Sequence, residues 1–236
     1  HLAGARPGMK WALGENPRGA NGGSGSRYPN TRMGVEALLR DRFLAADTYR
    51  QQHAAYEALA PAQRAKVLPP RRDLELEAIA ELLAGVRWIH CHSYRQDEIL
   101  MLCNLVRERG IKVGTFQHVL EGYKVADEIA QNAVGASSFT DWWAYKFEVY
   151  DAVPGNGALL HAAGAVVSFN SDSDELARRL NTEAGKAVKY GGLAPWDALT
   201  FVTRNPAIQL GVFERTGSLT AGKDADLALW SDDPLS

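Results

Sequence analysis

Between Val86 and Lys189 the sequence alternates short apolar runs with stretches of helical periodicity, and this alternation narrows the possible folds more than any other feature. Val86–His90 reads as a strand, Asp97–Arg109 as a helix, Ile111–Phe116 as a strand, Tyr123–Ala133 as a helix and Gly135–Phe139 as a strand. An aromatic-rich segment, Asp141–Val153, and a short helix near Gly157–Ala163 lead to a further strand, Ala165–Phe169, and a helix from Asp174 to Lys189. Strands alternating with helices give a parallel sheet covered by helices. Upstream, Gly8–Gly14 predicts another strand, followed by loop composition over Glu15–Asn30 and helices over Thr31–Ala60 and Asp73–Leu83, the second capped by Asp73. Downstream, Pro195–Thr203 and Pro206–Leu210 read as short helices, and Thr216–Trp230 as two strands around the turn Ala221–Asp224.

At 236 residues, 46% of them hydrophobic, the chain can bury a sizeable core, since α/β barrels run to about 250 residues as one domain. The 26 basic and 28 acidic residues are spread along the sequence, which offers no field for a phosphate backbone or an anionic lipid surface. Neither nucleic acid nor membrane is therefore an expected partner, and no run approaches the roughly 18 apolar residues of a membrane span. Cys91 and Cys103 cannot build a disulfide framework and form no CxxC pair. The chain opens His-Leu-Ala-Gly, without an initiator Met or a signal-peptide pattern, so its N-terminus is expected to arise by processing or truncation.

Chemistry-bearing residues stand where the strands end. His90 closes one strand, His118 follows the next by two residues, and Asp172 lies three past the last. The intervals are 28 and 54 residues, one and two repeats of a βα unit, so the three groups point to one face. Glu15, directly after the Gly8–Gly14 strand, joins them on the same argument. Two imidazoles and two carboxylates on one rim have the donor set of a zinc-type site with room for a water. His92 shares a face with His90 and is a candidate for binding substrate or an oxyanion, whereas Cys91 points into the core. Lys146 among the aromatics of Thr140–Tyr150 is a candidate for lining a pocket that takes an apolar or carboxylate-bearing small molecule. Arg32 and Tyr123 are further candidate substrate contacts. His53 and His161 lie in helical patterns and read as structural, and His1 has no assignable role.

The segments WIHCHS (Trp88–Ser93), FQHVLEGY (Phe116–Tyr123), FNSDS (Phe169–Ser173) and TRNPAIQLGVFERTGSLTAGKDADLALW (Thr203–Trp230) carry a family resemblance. The chain resembles the C-terminal part of the amidohydrolase superfamily, with its imidazolonepropionase-like and prolidase-like enzymes. The resemblance implies a distorted (β/α)8 TIM barrel, of which strands four to eight are present, over residues 1–203, and a return to a small β-sandwich over residues 204–236. It implies a divalent metal, one or two ions and most readily zinc, with His90 as the strand-five ligand, His118 as the strand-six ligand and Asp172 as the strand-eight aspartate that contacts metal and shuttles protons. Strand four of the family offers a carboxylated Lys or a Glu; Lys10 and Glu15 compete for that role. They are an odd five residues apart and face opposite sides; Glu15 is favoured and Lys10 is read as a solvated barrel-bottom residue.

The implied activity is hydrolysis of a C–N bond in an amide or cyclic amide, by metal-activated water attacking a carbonyl. The alternatives are a deaminase of the same superfamily and a non-catalytic fragment or scaffold. The sequence contains one His-x-His, His90–His92, already assigned to strand five, so the family's first-strand pair is not in it. Five strands leave two edges where a closed barrel has none. The expectation is therefore a piece of a longer protein whose partner is the missing N-terminal part of the barrel.

Overall fold

The computed structural model describes residues 4–21, 28–140 and 142–236. His1, residues 22–27 of the stretch read as loop, and Asp141 lie outside the described residues. In chain order the elements begin with β1 (Gly8–Ala12), α1 (Glu15–Asn21), α2 (Arg32–Glu57), α3 (Pro61–Arg64) and α4 (Leu74–Leu83). They continue with β2 (Trp88–His92), α5 (Gln96–Glu108), β3 (Val113–Gln117), α6 (Ala126–Asn132) and β4 (Ala133–Ser138). The last are α7 (Asn156–Ala162), β5 (Val167–Phe169), α8 (Leu180–Gly191), α9 (Pro195–Thr200) and α10 (Arg204–Gln209). They form two compact units, one of His1–Gly14 with Trp88–Ser236 and the other of Glu15–Arg87.

The first unit holds a five-stranded sheet in the order β1-β2-β3-β4-β5, every pair parallel. Its register sorts the side chains. Lys10 pairs with His90, His92 with Gln117, Gln117 with Ser137 and Ser137 with Ser168, so these polar residues share one face, called the inner face below. The opposite face carries Ile89, Cys91, Phe116, Ala136 and Val167, all buried. Helix α5 contributes Ile99, Leu102, Leu105 and Val106 to that apolar core. Burying a Leu- or Phe-sized side chain contributes about 1.5–3 kcal/mol, which makes this face the main source of sheet stability. At the amino end of the strands Gln209 of α10 accepts from Ser168 Oγ at 2.7 Å and donates to the Val166 carbonyl at 2.7 Å.

In the second unit α2 starts at Thr31, whose hydroxyl accepts from Gly34 N at 2.9 Å, and α4 at Asp73, which accepts from Glu75 N at 3.0 Å. Val35, Phe43, Ala46 and Tyr49 of α2 and Ile79 and Leu82 of α4 are among its buried residues. Among the described residues no helix is long and apolar enough to cross a membrane.

Two expectations are corrected here. The strand expected to close at His90 runs from Trp88 to His92, because its polar residues lie on the inner face while Ile89 and Cys91 alternate into the core. Thr216–Trp230 contains no strand. The turn is held instead by Asp224 N donating to Arg215 O at 2.7 Å and by an Arg215–Asp224 ion pair at 2.8 Å, and Leu227 and Leu229 beyond it are exposed, without the sheet neighbours a strand requires.

Candidate active site

The carboxyl end of the inner face gathers the site. β2 ends on His92, whose carbonyl accepts from Leu13 N at 2.9 Å, and Ser93 N donates to Gln117 O at 3.0 Å, locking the ends of three neighbouring strands together. His118 follows β3 with a positive φ of 71°, and Asp172 follows β5 with a φ of 47°. Left-handed backbone at a non-glycine residue carries strain and concentrates at functional sites. The chain turned this way leaves the His118 ring edge-on to His92, centroids 5.0 Å apart. Tyr94 packs against both, at 4.7 Å from His92 and 5.8 Å from His118. Phe139, just after β4, lies 5.4 Å from His118.

A wall of aromatics continues from there. Trp142 stacks on Phe139 at 5.2 Å and Tyr145 on Trp142 at 5.4 Å, and the Tyr145 and Tyr94 hydroxyls are hydrogen-bonded at 3.2 Å. Lys146 Nζ sits 4.5 Å above the Tyr94 ring and pairs with the buried Glu148 at 3.0 Å. Trp142 Nε1 donates to Ser171 O at 3.2 Å and so ties this wall to the turn that carries Asp172. At its base the buried Glu183 accepts from Thr140 N at 3.0 Å and from Thr140 Oγ1 at 2.6 Å.

Burial is the leading influence on every imidazole here. It lowers His92 to about 4, with the nearby His118, Lys10 and Lys146 acting in the same direction. It also lowers His90, and it lowers His118 against the opposing pull of Asp172. Burial and the Tyr145 hydrogen bond raise Tyr94, which keeps its hydroxyl protonated. All three rings are thus neutral near pH 7, the form in which imidazole binds a metal. A folded-state value below the ordinary 6.5 means that the unfolded chain binds more protons as the pH falls. Stability present above about 6.5 is therefore lost progressively toward about 4 for His92. The urea midpoint of the metal-free protein should fall between about pH 7 and about pH 4.5. His92→Gln should flatten that dependence; an unchanged slope would contradict the assignment.

The expected residues divide into those the fold brings together and those it does not. His118 and Asp172 follow their strands at the same end of the sheet, Asp172 exposed but within electrostatic range of His118 and Tyr94. His92, not His90, is the strand-end partner of His118. His90 lies one pleat lower, its ring against Gly8, where a Cβ would come within 2.6 Å of the imidazole. Lys10 is not a barrel-bottom residue: its ammonium donates to the Gln117 side chain at the carboxyl end of β3 and acts on all three histidines. Glu15 opens α1 in the other unit, where it pairs with Arg32 at 3.8 Å. Tyr123 is tied to the Asp151 carbonyl at 3.1 Å and, through its N–H, to Asn156 at 2.9 Å. Lys146 joins the histidine cluster through Tyr94. Sequence reasoning missed Tyr94, which the parity of β2 continued past His92 could have flagged.

The donors suit a divalent metal. Two imidazoles sharing a tetrahedral ion with Zn–N bonds of about 2.0–2.1 Å have ring centres about 5 Å apart, the spacing of His92 and His118. Among the described residues no third His, Cys, Asp or Glu stands close enough to the pair to complete a metal site.

Residues 153–236 match the model of the amidohydrolase family. Over 236 residues the chain is 31% identical to the amidohydrolase tasK of Hapsidospora irregularis, an alignment that covers 96% of this chain and 24% of that protein. It is 27% identical over 143 residues to an imidazolonepropionase of Thermoplasma volcanium, covering 60% of this chain and 33% of the other. An amidohydrolase structure from Thermotoga maritima superposes with a TM-score of 0.83 at 29% identity, covering 97% of this chain and 58% of that one. A prolidase complexed with N-methylphosphonate-L-proline shares the fold at a TM-score of 0.50 and 16% identity, over 70% of this chain and 44% of its own. The chain thus spans 24% and 33% of the length of these two curated relatives.

Proposed function

Because the chain belongs to the amidohydrolase superfamily, with an α/β fold that is part of a TIM-type barrel, we propose that it supplies the carboxyl-end rim of a metal-dependent hydrolase of amide or cyclic-amide C–N bonds. Superfamily membership supports hydrolysis in general. The 5.0 Å spacing of two buried, neutral imidazoles carries the metal-dependent part of the reading. His92 and His118 hold the ion, with Asp172 and Lys10 in its carboxylated form as completing ligands. Bound there, a divalent ion such as zinc supplies Lewis acidity and a water whose pKa is lowered toward about 7.

The chain's own groups do the rest. Asp172, on its left-handed turn and within electrostatic range of His118, takes the proton of the attacking water and returns it to the leaving nitrogen. Tyr94, protonated and packed against both histidines, donates to the oxygen on which negative charge develops. Phe139, Trp142 and Tyr145 exclude water from one side. Three further strands, supplied by another segment as the partner of β1 and β5, close the barrel.

Elemental analysis after purification with zinc and bicarbonate tests the reading. About one or two zinc ions per chain, lost in His92→Ala and retained in His90→Ala, is the expected result. A metal-free protein with an intact fold would replace the hydrolase by the scaffold reading.

A further inference from the structure

We infer that Asn170 is a positioning residue for His118: its amide oxygen accepts the Nδ1 proton of the imidazole, fixing the tautomer whose Nε2 is free for a ligand. This rests on the metal-dependent reading above. Asn170 directly follows β5, and its N–H donates to Ser138 O at 2.9 Å, which carries the β4–β5 ladder one residue further. Its side chain therefore shares the inner face with Ser168 and with Ser137, the register partner of Gln117, whose next residue is His118. The Asn170 amide nitrogen donates to Ser137 Oγ. A serine hydroxyl can accept or donate, so this contact holds the amide in place, and its orientation is set on the other side, where the oxygen faces the His118 ring.

Two buried atoms are then left without partners at the same corner of the site: Asn170 Oδ1, which can only accept, and His118 Nδ1, which can donate in one tautomer. Hydrogen bonding from Asn170 is among the influences on the His118 ring. Pairing the two satisfies both and follows the general pattern in which a second partner fixes the tautomer of a metal-binding histidine. Phe139, whose ring lies 5.4 Å from that of His118, offers no competing acceptor from its side chain.

The test uses the full chain, 15N-labelled and metal-free, with the His118 tautomer read from ring nitrogen shifts and zinc affinity from competition with a chromophoric chelator. The wild type should show Nδ1–H. Asn170→Ala should give a tautomer mixture and weaken zinc by about tenfold to a hundredfold. Ser137→Ala, which frees the amide to turn, should loosen the bias less, and Asn170→Asp, which keeps an acceptor, should preserve it. If Asn170→Ala does not fold, the latter two variants decide. An Nε2–H tautomer in the wild type, or an Asn170→Ala protein with unchanged tautomer and zinc affinity, overturns the inference. A wild type that shows the expected tautomer responses but takes up no zinc sustains this inference and overturns the metal-dependent function instead.

Discussion

On the metal-dependent reading proposed above, replacing His118 with Asn is expected to lower the hydrolytic turnover of the zinc-loaded protein by more than about a hundredfold, beyond what loss of a ligand's supporting partner costs. The choice of Asn matters. His118 has a φ of 71°, a region where Ala is strained but Asn is tolerated, so His118→Asn removes the imidazole without adding a backbone penalty. The ring is buried against His92, Tyr94 and Phe139, and the shorter side chain leaves a gap beside them. A modest drop in urea midpoint is therefore expected alongside the loss of zinc. Turnover and bound metal should fall together. Full zinc occupancy with normal turnover in a folded His118→Asn protein would remove His118 from the metal site.

The second large effect is on stability. Asn156, at the start of α7, is fully paired in the interior: its oxygen accepts from Tyr123 N at 2.9 Å, and its nitrogen donates to Val119 O at 2.8 Å and Ser138 Oγ at 2.9 Å. It thereby joins the segment after His118 to the end of β4. Asn156→Leu leaves the Tyr123 N–H and the Ser138 hydroxyl without that partner. At about 1–3 kcal/mol for each buried group left unsatisfied, a loss of about 3 kcal/mol is expected. Urea titration should show the midpoint falling with an unchanged slope. Because Val119 adjoins His118, zinc affinity should weaken in the same variant even under conditions where it remains folded. A loss below about 0.5 kcal/mol would show that water replaces the amide at this position.

The sequence made the alternation of strands and helices legible because apolar periodicity is set by burial, and the outer face of this sheet is buried along its length. Strand ends were harder to read. The apolar run of β2 stops at Ile89, yet the strand continues through His92, since the inner face of the sheet is polar where it meets the rim and hydrophobicity gives no boundary there. The expected ligand therefore fell on His90, one pleat below the His92 that packs against His118. Parity placed Lys10 and Glu15 on opposite sides, but the assignment between them rested on position along the strand and left out the length of the lysine chain. From mid-strand, Lys10 reaches Gln117 at the carboxyl end. Asp172 was found by spacing, whereas its left-handed turn depends on packing that no periodicity reports.

The interleaving of β2, with His90 and His92 on one face and Ile89 and Cys91 on the other, has a genetic consequence. Because side chains alternate with every residue, losing a single codon within the strand would send each later letter to the wrong side: the imidazoles into a dry core and the thiol to the rim. Substitutions at these positions can be tolerated or refused one at a time, but a shift of frame by one residue costs chemistry and folding together. Insertions and deletions of single residues should therefore be selected against here more sharply than any point change, with Trp88–His92 inherited as a block of fixed length.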